Sequence, residues 1–160
     1  MRNIISNTGL LKQEVREFVN EVKLGYVATV CPDGTPNLSP KGTTIAWDED
    51  YLAFADIYSP GTTNNLLINP SIEINVVDVF SRKGYRFKGI AEVLCKGDVF
   101  ESILSSYKKA GSKYIINNIV SVRVDRITPL FSPAYDNLSE VEITNRWNKP
   151  KKYQNQIIQQ

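Results

Sequence analysis

The segment Pro32-Asp33-Gly34-Thr35 places a tight turn, with Asp-Gly at its centre, between two runs of β-forming residues, Leu24 to Cys31 and Pro36 to Trp47. Such a turn commits the flanking runs to an antiparallel hairpin. Asp48-Glu49-Asp50 then turns the chain into Tyr51 to Ala55, which extends the hairpin into a meander with short connections. Beyond Pro70, Ile72, Ile74 and Val76 share one face of a strand. Val77 and Val79 make its other face partly apolar, which predicts burial on both sides. The next strand alternates: Tyr85, Phe87, Ala91, Val93 and Cys95 point inward, while Arg86, Lys88, Glu92 and Lys96 point outward. Gly89 interrupts the inner row and permits strong coiling. Asn118 to Ile127 reads as the last strand, after which Pro129 and Pro133 break regular structure.

Two helices frame these strands. Leu11, Val15, Phe18, Val19 and Val22 repeat at helical spacing, with Thr8 as a cap and Lys23 and Gly25 marking the stop. Asp98 caps a second helix carrying Val99, Phe100, Ile103, Leu104 and Tyr107, closed by Lys108, Lys109 and Gly111. About six antiparallel strands with helices at the sheet ends predict a mainly β fold, a small barrel with flanking helices.

Composition narrows the chemistry. The 160 residues contain no histidine, which removes Ser-His-Asp and Cys-His catalysis and imidazole metal ligands together. Catalytic side chains and a metal are accordingly not expected. Cys31 and Cys95 suit neither a disulfide framework nor a zinc site and read as buried, inert thiols. A net charge of +2 is too weak to argue for nucleic acid, even with Arg146, Lys149, Lys151 and Lys152 near the C-terminus. Neither an apolar run of membrane-spanning length nor a signal-peptide pattern is visible, so the expectation is a single-domain cytoplasmic protein.

The segment most suggestive of binding is Ser59-Pro60-Gly61-Thr62-Thr63-Asn64-Asn65, between the strand ending at Ala55 and a short helix-like run from Asn65 to Asn69. A helix N-terminus behind a Gly- and hydroxyl-rich turn offers free N–H groups and a positive dipole end to an anion. Thr62 and Thr63 add hydroxyl donors. A second unusual segment is Leu38-Ser39-Pro40-Lys41-Gly42-Thr43-Thr44. Proline and glycine there mark an edge strand, a bulge or a close approach of ligand to backbone.

The order of these parts resembles the pyridoxamine 5′-phosphate oxidase-like FMN-binding split barrels. The resemblance rests on a spaced series: Gly25-Tyr26-Val27-Ala28-Thr29-Val30, Pro32-Asp33-Gly34-Thr35-Pro36, Ser39-Pro40-Lys41, Trp47-Asp48, Leu52-Ala53-Phe54, Asn65-Leu66, Asn69-Pro70-Ser71 and Arg86 to Val93. It spans roughly residues 9 to 131, leaving 132 to 160 as an extension. It implies an antiparallel split barrel of about six strands. It also implies a homodimer with two FMN molecules bound where the subunits meet. In this family Ser59, Gly61, Thr62, Thr63 and Asn65 match the phosphate turn, although a basic residue common there is absent. The missing cation would come from Arg82, Lys83 or Arg86, whose other reading is an exposed basic strand edge. Ser39, Lys41, Gly42, Thr43 and Thr44 match the strand that runs along the isoalloxazine ring. Lys41 either raises the flavin potential from the ring's pyrimidine end or is a solvated lysine.

The arginine-rich C-terminal segment of true pyridoxamine phosphate oxidases is absent, which argues against the vitamin B6 reaction. In its place stand Ser132-Pro133-Ala134-Tyr135-Asp136 and Arg146-Trp147. Tyr135 and Trp147 would either stack on the flavin or anchor the tail. Three functions follow. One is an FMN oxidoreductase acting with a small molecule or a reduced nicotinamide. Another is an FMN electron carrier or flavin store with no substrate. The third is a non-flavin small-barrel binding module, for example for single-stranded nucleic acid. A deazaflavin in place of FMN is a further option.

Overall fold

The structure is a computed structural model, and it describes residues 9–148. Thr8, expected as a cap, lies outside the described residues, as do Lys149, Lys151 and Lys152 of the basic tail. The order is α1 (Gln13–Val22), β1 (Gly25–Val30), β2 (Pro36–Lys41), β3 (Ile45–Ala46), β4 (Tyr51–Asp56), α2 (Pro60–Ile68), β5 (Ser71–Asp78), β6 (Lys83–Leu94), α3 (Asp98–Lys109), β7 (Asn118–Phe131), a 3-10 turn (Pro133–Asp136) and α4 (Glu140–Trp147).

The β1–β2 hairpin forms as expected. Cys31 N–H donates to Thr35 O at 2.8 Å, and Gly34 takes a φ of 84° that a side chain would resist. Among the described residues the sheet has seven antiparallel strands in the order β2-β1-β5-β6-β7-β4-β3, one more than expected. The extra strand arises because the segment from Pro36 to Trp47 does not run through. It ends at Lys41, turns at Gly42 to Thr44, and resumes as the two-residue β3 against β4. This break closes the architecture. β2 and β3 are the two edges of the sheet yet are consecutive in the chain, so the sheet must curl until its edges nearly meet. The result is a split barrel.

The barrel interior holds Val27, Leu52, Phe54, Ile74, Val76, Phe87, Val120 and Val122, plugged by Leu11 just before α1, by Val15 and Val19 from α1 and by Leu66 from α2. α3 covers the outer face of β4 and β7 through Phe100, Ile103 and Tyr107, packed on Ala53, Ala55 and Ile119. β6 coils around a register shift at Lys88/Gly89. A Cβ on Gly89 would collide with the carbonyl of Arg123, so only glycine lets β7 pass this closely.

Four expectations change. Pro129 does not end regular structure, because it lies inside β7 opposite Tyr85. β4 leaves β7 after Arg123, so the missing N–H of Pro129 faces an unpaired edge, where proline is tolerated. β5 is buried on one face only within the protomer, with Glu73, Asn75 and Val77 half-exposed. Cys95 falls just past the end of β6 and is exposed rather than buried. The helix expected from Asn65 starts earlier, at Pro60, because proline's fixed φ suits the first helical position.

Candidate functional site

The early start of α2 changes what the Ser59–Asn65 segment offers. Ser59 is the N-cap residue, and Gly61, Thr62 and Thr63 form the first turn of the helix rather than a loop before it. Thr63 N–H already donates to Ser59 O at 3.2 Å, and Pro60 has no N–H. The orphan donors at this end are therefore Gly61 and Thr62. A Cβ on Gly61 would meet nothing within 4 Å, so the approach to these donors is open. The two threonines have separate fates. The Thr63 hydroxyl donates back to Pro60 O at 3.2 Å. The Thr62 side chain is 3% exposed and makes none of the Thr63 bonds to Ser59 O or Pro60 O. Asn65 turns the other way, its amide donating to Thr29 Oγ1 at 3.0 Å and approaching Cys31 Sγ at 3.6 Å, which fastens α2 to β1.

Lys41 ends β2 and is only 5% exposed, which rules out a solvated lysine. Its Nζ donates to Ser39 Oγ at 2.8 Å and to Ser59 Oγ at 2.6 Å. The ammonium thus sits against the N-cap of α2, beside the segment expected to hold the phosphate. Among the described residues it forms no ion pair with any carboxylate. Burial pushes its pKa below the ordinary lysine value, and the negative charge of Asp56 partly offsets that effect. A desolvated cation with neutral partners, beside a helix N-terminus, is suited to receive an anion.

Asp56 escaped the sequence reading. It closes β4, is 6% exposed, accepts Ser59 N–H at 2.8 Å on Oδ1 and accepts Asn118 Nδ2 at 3.2 Å on Oδ2. An aspartate three residues before a serine at a strand-to-helix turn was the available signal.

The Gly42–Thr44 turn is held rigidly. Thr43 Oγ1 accepts from Ala55 N at 2.9 Å, Thr44 Oγ1 donates to Lys41 O at 2.9 Å, and Tyr107 Oη donates to Thr43 O at 2.7 Å. Burial drives the Tyr107 phenol pKa well above its ordinary value, so it stays protonated as that donor. Thr44 is fully buried, and of this turn Gly42 alone stays exposed.

The two candidate arginines lie elsewhere. Arg86 Nε is 3.4 Å from Glu73 Oε1 and 3.2 Å from Asn75 Oδ1, on the outer face of β5 and β6. Arg82, at a left-handed φ of 59° in the β5–β6 turn, lies 4.2 Å over the Trp147 ring. Tyr135 donates to Ser81 O at 2.6 Å in the same place. Tyr135 and Trp147 thus both hold the extension to the β5–β6 turn. Within one protomer neither arginine has a hydrogen bond or ion pair to the Lys41–Ser59 cluster. Concave clefts occur on the outer surface, among them one of about 510 Å³ lined by Tyr26, Leu38, Val77 and Arg86. No helix of the described residues is long and apolar enough to cross a membrane.

A family model described as pyridoxamine 5′-phosphate oxidase matches residues 11–130. Among solved structures, HupZ of Group A Streptococcus is 30% identical, with a TM-score of 0.68, covering 76% of this chain and 94% of that one. An FMN-binding protein from Syntrophomonas wolfei is 16% identical with a TM-score of 0.63, covering 74% and 85% respectively. HutZ, the heme storage protein of Vibrio cholerae, is 18% identical with a TM-score of 0.58, covering 74% and 93%. These last two likenesses concern the fold alone. No curated protein matches the chain.

Proposed function

This chain belongs to the pyridoxamine 5′-phosphate oxidase family, and from that premise we propose that it is an FMN-binding flavoprotein acting as an oxidoreductase. One observation carries the reading: the desolvated ammonium of Lys41, without a carboxylate partner, beside the open N-terminus of α2. The donor set fits a phosphate monoester. Lys41 supplies charge, Gly61 and Thr62 supply backbone N–H groups, and the hydroxyls of Ser39, Ser59 and Thr62 supply directional hydrogen bonds. Lys41 takes the place of the basic residue that the helix turn lacks.

FMN when bound supplies reversible electron and hydride transfer that this histidine-free chain has no side-chain means to perform. The protein's own contribution is binding and positioning. Lys41 keeps a proton where the phosphate charge must be neutralised. Asp56 orients Ser59. Tyr107 and Thr43 hold the Gly42 turn in one shape, leaving its backbone open to a ring edge. Such preorganisation favours alignment of donor and acceptor.

The reading includes a homodimer. The outer face of β2, β1 and β5 exposes Leu38 at 67% and Tyr26 at 37%, with Val77 and Arg86 beside them. A second copy would cover this face and bring Arg86 toward a shared site. The electron donor is a small molecule or reduced nicotinamide that reaches the flavin directly, and the protein works in the cytoplasm.

Mass spectrometry of ligand released from protein purified without added cofactor tests the proposal. FMN is expected. A deazaflavin would change the cofactor, and no flavin, together with equal affinity for added FMN and riboflavin, would overturn the phosphate site.

A further inference from the structure

We propose that Asp56 is a positioning residue of the anion site, a fixed counter-charge that orients the Ser59 cap and keeps the Lys41 ammonium charged without contacting it. The inference rests on the phosphate reading above and divides the work within it: Lys41 meets the ligand, and Asp56 stands behind.

Asp56 closes β4 and is 6% exposed. Its Oδ1 accepts Ser59 N–H at 2.8 Å, and its Oδ2 accepts from Nδ2 of Asn118, the facing residue of β7, at 3.2 Å. Both donors are neutral, and among the described residues the carboxylate forms no ion pair. Taking a carboxylate out of water for two neutral hydrogen bonds is costly. An asparagine at this position makes the same turn and accepts the same Ser59 N–H with no charge to bury. The charge therefore points to a use beyond shaping the turn.

Ser59 connects that charge to Lys41. It gives its N–H to Asp56 and accepts from Lys41 Nζ on its Oγ. Two neutral hydroxyls, Ser39 and Ser59, hold the ammonium, so burial favours loss of its proton, and the negative charge of Asp56 opposes that loss. Among the described residues no other neighbouring element brings a charge to this point. β1 sets Gly25 opposite Lys41, and the first turn of α2 from Pro60 to Thr63 carries no ionisable side chain. α3 contributes the protonated Tyr107 phenol, turned to Thr43 O. Lys23 reaches the Gly42 turn through its carbonyl, which accepts Thr44 N–H at 3.2 Å, and is itself exposed.

The separation matters. A carboxylate in direct contact would keep Lys41 charged but compete with phosphate for its N–H groups. One residue removed, Asp56 supports the charge through a poorly solvated interior and leaves one of the three Lys41 N–H groups for a ligand. It also occupies the Ser59 N–H, which directs an anion to the open N–H groups of Gly61 and Thr62.

Asp56→Asn and Asp56→Glu, in the full chain, provide the test. Asparagine keeps the acceptor for Ser59 N–H, and the Asn118 amide turns over to meet it, so the variant should fold. NMR of the Lys41 Cε–H signal, assigned with Lys41→Met, follows the titration of the lysine in ligand-free protein. FMN isotherms from neutral to alkaline pH follow binding. Asp56→Asn should move the Lys41 titration to lower pH and bring the alkaline fall in FMN affinity down with it. On that limb its FMN affinity should be about three-fold or more below wild type. Near neutral pH the affinity should not fall, because the variant also removes a negative charge from the neighbourhood of the incoming anion. Asp56→Glu keeps the charge and should titrate near the wild type. An unmoved Lys41 titration in Asp56→Asn would overturn the proposal, as would an FMN loss equal at every pH, the mark of a purely structural aspartate. A wild-type Lys41 already neutral near pH 7 would overturn it without any variant. Equal affinity of the wild type for FMN and riboflavin would instead remove the phosphate reading, while the Lys41 titration still decides whether Asp56 holds the charge.

Discussion

Lys41 Nζ donates to Ser59 Oγ at 2.6 Å, and this contact joins the last residue of β2 to the N-cap of α2 across 18 positions of sequence. It brings a cation to a helix end whose own first turn carries none. Lys41→Met should weaken FMN binding by about 1.5–3 kcal/mol, the range for a hydrogen bond to a charged group. Riboflavin affinity should barely change. Fluorescence titration of both ligands checks this. An equal loss for both would return Lys41 to the ring.

The same lysine predicts a pH dependence. Its folded-state pKa is lowered by burial, so in the alkaline window below 10.5 the unfolded chain holds the proton more strongly than the ligand-free folded chain. Stability of the ligand-free protein should therefore gain a contribution as pH rises through that window. Lys41→Met should abolish this gain. FMN affinity should fall over the same window as the ammonium deprotonates. Urea titrations at several alkaline pH values decide the first point and binding isotherms the second.

Thr62 and Thr63 should separate cleanly. Thr62→Ala removes a hydroxyl beside the open Gly61 N–H and should weaken FMN binding by about 1 kcal/mol. Thr63→Ala removes a hydroxyl already bonded to Pro60 O, so its effect should fall on thermal stability and leave FMN affinity nearly intact. Paired melting and titration curves test the split.

Trp147→Ala should loosen the extension rather than the flavin. Loss of the Arg82 stacking is worth about 0.5–1 kcal/mol at an exposed site. Faster proteolysis near α4 with unchanged FMN affinity is the expected result. A large loss of affinity would place Trp147 on the flavin.

Light scattering should find twice the 18.1 kDa chain mass. Leu38→Asp, on the exposed outer face of β2, should shift the protein toward monomer. A monomeric wild type that binds FMN fully would exclude a shared site.

Much of the fold was legible from local chemistry. The Asp33-Gly34 turn, the alternation through β6, the stripe of α1 and the coiling at Gly89 each follow from residue types a few positions apart, because turn geometry and side-chain periodicity are short-range properties. Proline positions were less legible. Whether Pro129 ends a strand depends on which neighbour lies beside it, and no local signal records that β4 has already departed.

For the site, the sequence by itself determined the inventory: hydroxyls and glycine at a helix start, a lysine after proline, and no histidine anywhere. It did not determine who meets whom. Lys41 reaches Ser59 because the sheet curls until its two edges share the Gly42 turn, while Arg82 and Arg86, equally basic in sequence, are carried to Trp147 and Glu73. A cation's partner is set by three-dimensional distance and by how much water remains around it, and both are products of barrel closure.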